Sequence, residues 1–355
     1  MDCEKTMSEL FTASSYHSIL CSDFPPFLHD YLQLPLLTRL KGVGLLCGTD
    51  WTELFHNQFF YSRFDHSLGV ALIVWNFTHD KKQTLAGLLH DVSTRAFSHV
   101  TDFRNGDALT QESSEDINAS LIDNDKELSL LLKRDGLTPN DVDDYHRYPV
   151  ADNPCPGLSA DRLEYMYPSG AALCGQWTID EVRKNYSHVC LLLNEQGQPE
   201  LGFDDEEAAL DYTKRFTNIA LLLQHNEDKI AMQLLADVVS RAIKCSFICE
   251  DDLFSLTEQE LIERFDSFAS QKKDIVFTRL HKTFRTMKEV KHTQRALDGH
   301  YCVSLAVKKR YVIPLVKQKD GSALRISDCN GEAKKIINDF LSYSDSPYGC
   351  VCIAQ

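Results

Sequence analysis

The chain has 355 residues, 43% of them hydrophobic and 25% charged, which suits two or three packed units and argues against wholesale disorder. Its 37 Lys and Arg against 52 Asp and Glu give a formal net charge of −15, a poor match to broad nucleic-acid binding, where phosphate contacts dominate affinity. A small phosphate ligand held by local positive charge or by a metal remains compatible with that charge.

The first 34 residues read as an N-terminal segment. From about Pro35 to Thr78 the chain is apolar with helical spacing, interrupted between Gly48 and Phe60. The spacing predicts a helix over Lys82–His99, with Leu85, Leu88, Leu89 and Val92 on one face. Thr138-Pro139 marks a helix start, Asn153 to Gly157 a loop, and Ser159 to Tyr165 a new helix. Thr178 with Glu181 and Thr257 with Glu260 form capping boxes around a long amphipathic region, Tyr212 to Phe247. Beyond Asp298 the pattern alternates at Val303, Leu305, Val307 and at Tyr311, Ile313, Leu315. Asp320-Gly321 supplies a turn, Glu332 to Leu341 a helix and Cys350 to Ile353 a final strand. The expectation is a mainly α protein: a core over 35–175, a helical extension over 176–297, and a small C-terminal α+β domain over 298–355. The twelve cysteines include no C-x-x-C pair and read as free, mainly buried thiols of a cytoplasmic protein. The N-terminus lacks a secretory pattern, and no apolar run is long enough to span a bilayer.

Three His-Asp dipeptides occur: His29-Asp30, His79-Asp80 and His90-Asp91. Only the third lies within an apolar helical pattern, preceded by Leu88-Leu89. A buried His beside a buried Asp is costly unless both have partners, and a divalent cation answers that cost. Adjacent helix residues point about 100° apart, so further ligands must come from other helices. His66 and Asp161, each at the start of a candidate helix, are the candidates.

The segments Arg63-Phe64-Asp65-His66-Ser67-Leu68-Gly69, Leu88-Leu89-His90-Asp91-Val92 with Phe97-Ser98-His99, and Ala160-Asp161-Arg162-Leu163-Glu164-Tyr165 together resemble the H…HD…D signature of the His-Asp (HD) metal-dependent phosphohydrolase superfamily. The likeness is nearest to the branch containing deoxynucleoside triphosphate triphosphohydrolases and covers roughly Pro35 to Tyr165. It implies an HD-domain helical bundle holding one divalent metal ion (manganese, iron, nickel, zinc or magnesium) on His66, His90, Asp91 and Asp161. In an active site of this kind Asp91, His99, Arg63 and Glu112 are the expected catalytic residues, with Asp91 or Asp161 taking the water's proton and Glu112 orienting His99. Arg63, Arg95 and Tyr165 would contact a small phosphorylated substrate of nucleotide type. A homo-oligomer is implied as well. Thr94, Gln111, Leu45 and Pro168-Ser169 stand where that branch carries nucleotide-reading and proton-transferring residues, which argues against triphosphohydrolase chemistry on deoxynucleotides. The alternative reading is a catalytically impaired HD-fold protein that binds a nucleotide and regulates.

For several residues a plainer reading competes. His99 also suits a helix end, Arg63 a salt bridge, Arg95 a solvated face, and Gln111-Glu112 a helix start. Lys282, Arg285, Lys288, Lys291 and Arg295 recur at spacings of three and four, a positive helix stripe that is either solvated or an effector site. Lys308-Lys309-Arg310 reads as edge-strand protection or a solvated loop.

Overall fold

The computed structural model describes residues 11–111 and 117–355. Its centre is the helix Arg63–Thr78, buried along most of its length. Ser62 caps it: its hydroxyl accepts from the Asp65 amide, and the Asp65 carboxylate reaches back to the Ser62 amide. The helix ends at His79, which takes the left-handed conformation, and Asp80 then caps the next helix, Lys81–Leu89, by accepting from the Lys82 and Gln83 amides. The second His-Asp dipeptide is thus a helix stop followed by a helix start. In the first, Asp30 pairs with Arg134 and His29 packs on Phe24.

The helix expected over Lys82–His99 stops at Leu89. Tertiary partners take the backbone groups that would have continued it. Arg39 donates to the Val92 and Thr94 carbonyls, the Ala96 amide bonds the Leu253 carbonyl, and the Phe97 amide bonds Glu258. Phe97 and Ser98 are left at φ 65° and 52°, a strained region for such residues.

The helix Ala160–Cys174 packs across Arg63–Thr78. Ser159 caps it, and Gly175 closes it at φ 60°. Pro168 lies inside and has no N–H for the Glu164 carbonyl one turn back. The buried Tyr16 hydroxyl donates to that carbonyl instead, at 3.0 Å.

Both expected capping boxes, Thr178–Glu181 and Thr257–Glu260, are present. The long amphipathic region is two helices, Glu206–Leu222 and Asn226–Lys244. Among the described residues there are seven short strands: β1 (Val189–Leu193), β2 (Pro199–Phe203), β3 (Lys291–Thr293), β4 (His300–Val303), β5 (Leu315–Lys317), β6 (Ala323–Arg325) and β7 (Tyr348–Cys352). They form two sheets, ordered β1-β2-β5-β6 and β3-β7-β4. β5 pairs parallel to β2, and β7 pairs with both β3 and β4, so each sheet joins strands from either side of residue 297. The alternation at Val303–Val307 and Tyr311–Leu315 is mostly extended chain outside any strand.

Two sequence expectations change. Cys302 and Cys350, opposite one another in the β4–β7 register, form a disulfide with Cα atoms 4.1 Å apart, while Cys155, Cys174, Cys249 and Cys352 are exposed. Strand register makes that pairing across 48 residues, and spacing does not reveal it. The positive stripe is not one helix face, because its helix ends at Thr286 and Lys291 opens β3. Lys288 pairs with Glu53, and Arg285 donates to the Trp51 carbonyl. Among the described residues no helix is long and apolar enough to cross a membrane.

Candidate metal centre

His66 stands in the first turn of its helix, Asp161 in the first turn of Ala160–Cys174, and His90-Asp91 directly after Leu89. Three separate segments therefore meet. His66 Nε2 lies 3.2 Å from His90 Nε2 and 3.1 Å from Asp161 Oδ1, and His90 Nε2 lies 3.8 Å from Asp161 Oδ1. Asp91 Oδ2 is 3.8 Å from His66 Nε2 and 3.5 Å from His90 Nε2. Metal–ligand bonds of about 2.1 Å place neighbouring ligand atoms roughly 3.0 Å apart in octahedral and 3.4 Å in tetrahedral geometry. His66, His90 and Asp161 form a group able to hold a metal ion.

The outer hydrogen bonds strengthen that fit. His90 Nδ1–H donates to the Gly87 carbonyl at 2.7 Å, so its Nε2 presents a lone pair inward. His66 Nδ1–H donates to Glu164, whose other oxygen accepts from the Tyr61 hydroxyl at 2.6 Å. Glu164 is fully buried. The inner face is thus two imidazole nitrogens and carboxylate oxygens, a set of acceptors that only protons or a cation can satisfy. Burial pulls His66 down, yet Glu164 and Asp161 outweigh it and push it up to about 10. A proton on Nε2 then occupies the place a metal would take. Burial also opposes ionisation of Asp91 and Asp161; Arg63 with the two histidines, and His66 with His90, respectively hold them well below the usual carboxylate range.

Arg63 was expected at the substrate. It lines the cavity into which the site opens and is anchored to the protein as well: Nη1 donates to Asp91 Oδ2 at 2.8 Å and Nε to Ser98 Oγ at 3.0 Å, and the residue is 7% exposed. Thr94 donates to Asp91 Oδ1 at 3.0 Å. His99 directs Nδ1–H at Asp102 Oδ2, 2.9 Å away, leaving Nε2 as an acceptor. Burial depresses its pKa against the pull of Asp102, and the nearby Arg310 and Arg63 lower it further. Tyr165, one turn beyond Asp161, has its ring centroid 6.5 Å from that of His66. Arg95 is not among the cavity-lining residues. Glu112 lies outside the described residues.

These groups open into a cavity of about 1140 Å³. Leu54, Phe55, Leu173 and Ile219 form apolar wall, and His66, Asp161, His99 and Tyr165 form the polar end. Lys308, Lys309 and Arg310 also line it, so the cluster expected on a solvated loop faces the site. Sequence reading missed three more residues. Glu164 and Asp102 sit three residues after Asp161 and His99, a helical spacing that offered a signal. Glu258 is distant in sequence and offered none. It is fully buried, accepts from the Gly44 and Phe97 amides and from Trp51 Nε1, and is pushed up to about 7 by burial against those bonds. It thereby holds the turn that carries Ser98 and His99.

No family model matches the chain. Over 145 residues it is 30% identical to the uncharacterized protein YdhJ of Bacillus subtilis, a match covering 39% of this chain and 41% of that protein. It therefore spans well under two thirds of that relative. Over 240 residues it is 23% identical to the metal-dependent phosphohydrolase cns2 of Cordyceps militaris, covering 66% of this chain and 67% of the relative. Two solved structures share the fold. One is a phosphohydrolase from Bacteroides thetaiotaomicron, with TM-score 0.61 and 16% identity over 92% of this chain and 96% of that one. The other is a hypothetical protein from Aquifex aeolicus, with TM-score 0.61 and 15% identity over 93% of each chain.

Proposed function

We propose that the chain is a member of the HD-domain phosphohydrolase superfamily, a reading supported by its likeness to a metal-dependent phosphohydrolase and by the shared fold, and that it is a metal-dependent hydrolase of a phosphate ester or anhydride in a nucleotide or similar small molecule. One observation carries the reading: imidazole and carboxylate acceptors from three segments converge at one point on the wall of a large cavity. His66, His90, Asp91 and Asp161 would hold a divalent ion. Bound there, such an ion lowers the pKa of a water and polarises a phosphoryl oxygen.

The chain's own residues then have separable tasks. Glu164 fixes the ring of His66, and the Gly87 carbonyl fixes His90. Arg63 keeps Asp91 ionised and oriented. His99, backed by Asp102, is neutral at Nε2 and can hold a proton there during the reaction. The apolar wall excludes water from the body of a substrate whose phosphate meets the polar end.

A second reading, a protein that binds a nucleotide without turning it over, draws on Thr94 and Gln111. Both serve structural hydrogen bonds, to Asp91 and from Arg310. One experiment separates the two: metal analysis of the purified protein with a phosphate-release screen over nucleotides and phosphomonoesters under added manganese, nickel, iron or magnesium. The expected outcome is about one divalent ion per chain, with turnover lost in both His90→Ala and Asp91→Ala. Stoichiometric metal without turnover of any substrate selects the binding reading.

A further inference from the structure

Arg63 lines the cavity but is anchored to Asp91 and Ser98, which raises the question of a further cation for the substrate's phosphate. Arg162 also lines the cavity, but its guanidinium is consumed by Asn153, the Gly157 carbonyl and Asp152. Lys309 donates to the Leu341 and Tyr343 carbonyls. Arg310 differs. Its Nη2 contacts only neutral acceptors, Gln111 Oε1 at 2.6 Å and His99 Nε2 at 3.3 Å. Among the described residues, no carboxylate lies within ion-pair distance of it. Asp228, also on the cavity wall, feels its charge, yet burial pushes that carboxyl up to about 7 even against Arg310. Among the described residues, Arg310 thus brings a guanidinium to the cavity wall with no carboxylate at ion-pair distance, an arrangement that favours an incoming oxyanion.

Its placement agrees. Arg310 bonds His99 and acts electrostatically on Tyr165, whose ring neighbours His66. The charge therefore stands on the metal side of the cavity. The segment carrying it is fastened along its length. The Lys308 amide bonds the Ala108 carbonyl, Gln224 donates to the Lys308 carbonyl, and the Ile313 amide bonds the Pro156 carbonyl. A guanidinium on so fixed a strap brings its charge to a phosphate at little entropic cost.

We propose that Arg310 is the phosphate-binding cation of this cavity, receiving non-bridging oxygens of a phosphoryl group, with His99 Nε2 beside them. The proposal rests on the phosphohydrolase reading for the identity of the anion, but its test does not require turnover. Inorganic phosphate is titrated into the manganese-loaded full-length protein by calorimetry, comparing wild type with Arg310→Lys and Arg310→Met. Affinity should fall in that order, with Arg310→Met at least about tenfold weaker and Arg310→Lys between, because Lys keeps the charge but loses the planar guanidinium that Gln111 and His99 hold in place. Equal affinity in wild type and Arg310→Met overturns the proposal, as does a wild type that binds no phosphate. Should the variants fail to fold, phenylglyoxal labelling of wild type decides: phosphate should protect Arg310, and unprotected labelling overturns the assignment. Phosphate binding that depends on Arg310, in a protein that hydrolyses nothing, would sink the hydrolase reading and leave this site standing.

Discussion

Glu258 shows how far from the metal a single residue can act. Its carboxylate accepts three N–H groups, two of them from the loops that shape the cavity rim. The bonded turn holds Ser98, which accepts from Arg63 and donates to the Gly44 carbonyl. The link from Glu258 to Asp91 thus runs through Ser98 and Arg63. A carboxyl whose native pKa is about 7 binds more protons folded than unfolded, so the protein loses stability as pH rises from about 4.5 to about 7. Glu258→Gln removes that dependence. The difference in unfolding free energy, wild type minus variant, should therefore fall by up to about 3 kcal/mol between pH 4.5 and pH 7.5. Urea titrations at the two pH values measure it, and a difference that grows with pH refutes the assignment.

At the scale of elements, the site depends on how closely two helices approach. Gly69 lies where Arg63–Thr78 crosses Ala160–Cys174. A Cβ there would fall 2.4 Å from Glu164 Oε1 and 2.7 Å from its Cγ. Glu164 cannot give way cheaply, since both its oxygens are bonded and it is fully buried. Gly69→Ala should push Glu164 off His66, lower metal affinity about 10- to 100-fold, and cost about 1–3 kcal/mol of stability. Metal titration and thermal melting of the variant check this; wild-type metal affinity would show that the approach has slack.

For the whole molecule, the C-terminal region is part of the site and part of the core. Val312, Val316, Ile326, Ile337 and Phe340 belong to the same buried cluster as Leu72, Leu89 and Leu163. Val303 and Val351 join the second cluster, around Phe97, Leu235 and Phe265. Removing residues 298–355 would strip β5 from β2 and β7 from β3, expose both clusters and delete Arg310. The truncated chain should not fold to a cooperative unit, as circular dichroism melting would report. A sharp melt with retained metal binding would show instead that the first 297 residues stand alone.

The mainly helical class followed from periodicity, and the capping boxes at Thr178 and Thr257 from local chemistry, because both signals lie within a few residues of chain. The set His66, His90, Asp91 and Asp161 followed from the resemblance to the HD signature, in which residue type and order are carried by short local segments. Tertiary structure decided what local signals do not encode. It ended the His90 helix early by taking its backbone groups with Arg39 and Glu258. It anchored Arg63 to Asp91. It carried Arg310 from the C-terminal region to His99, 211 residues away in sequence. Such long-range partners are fixed by packing and charge balance in the folded chain, so neither spacing nor composition reveals them.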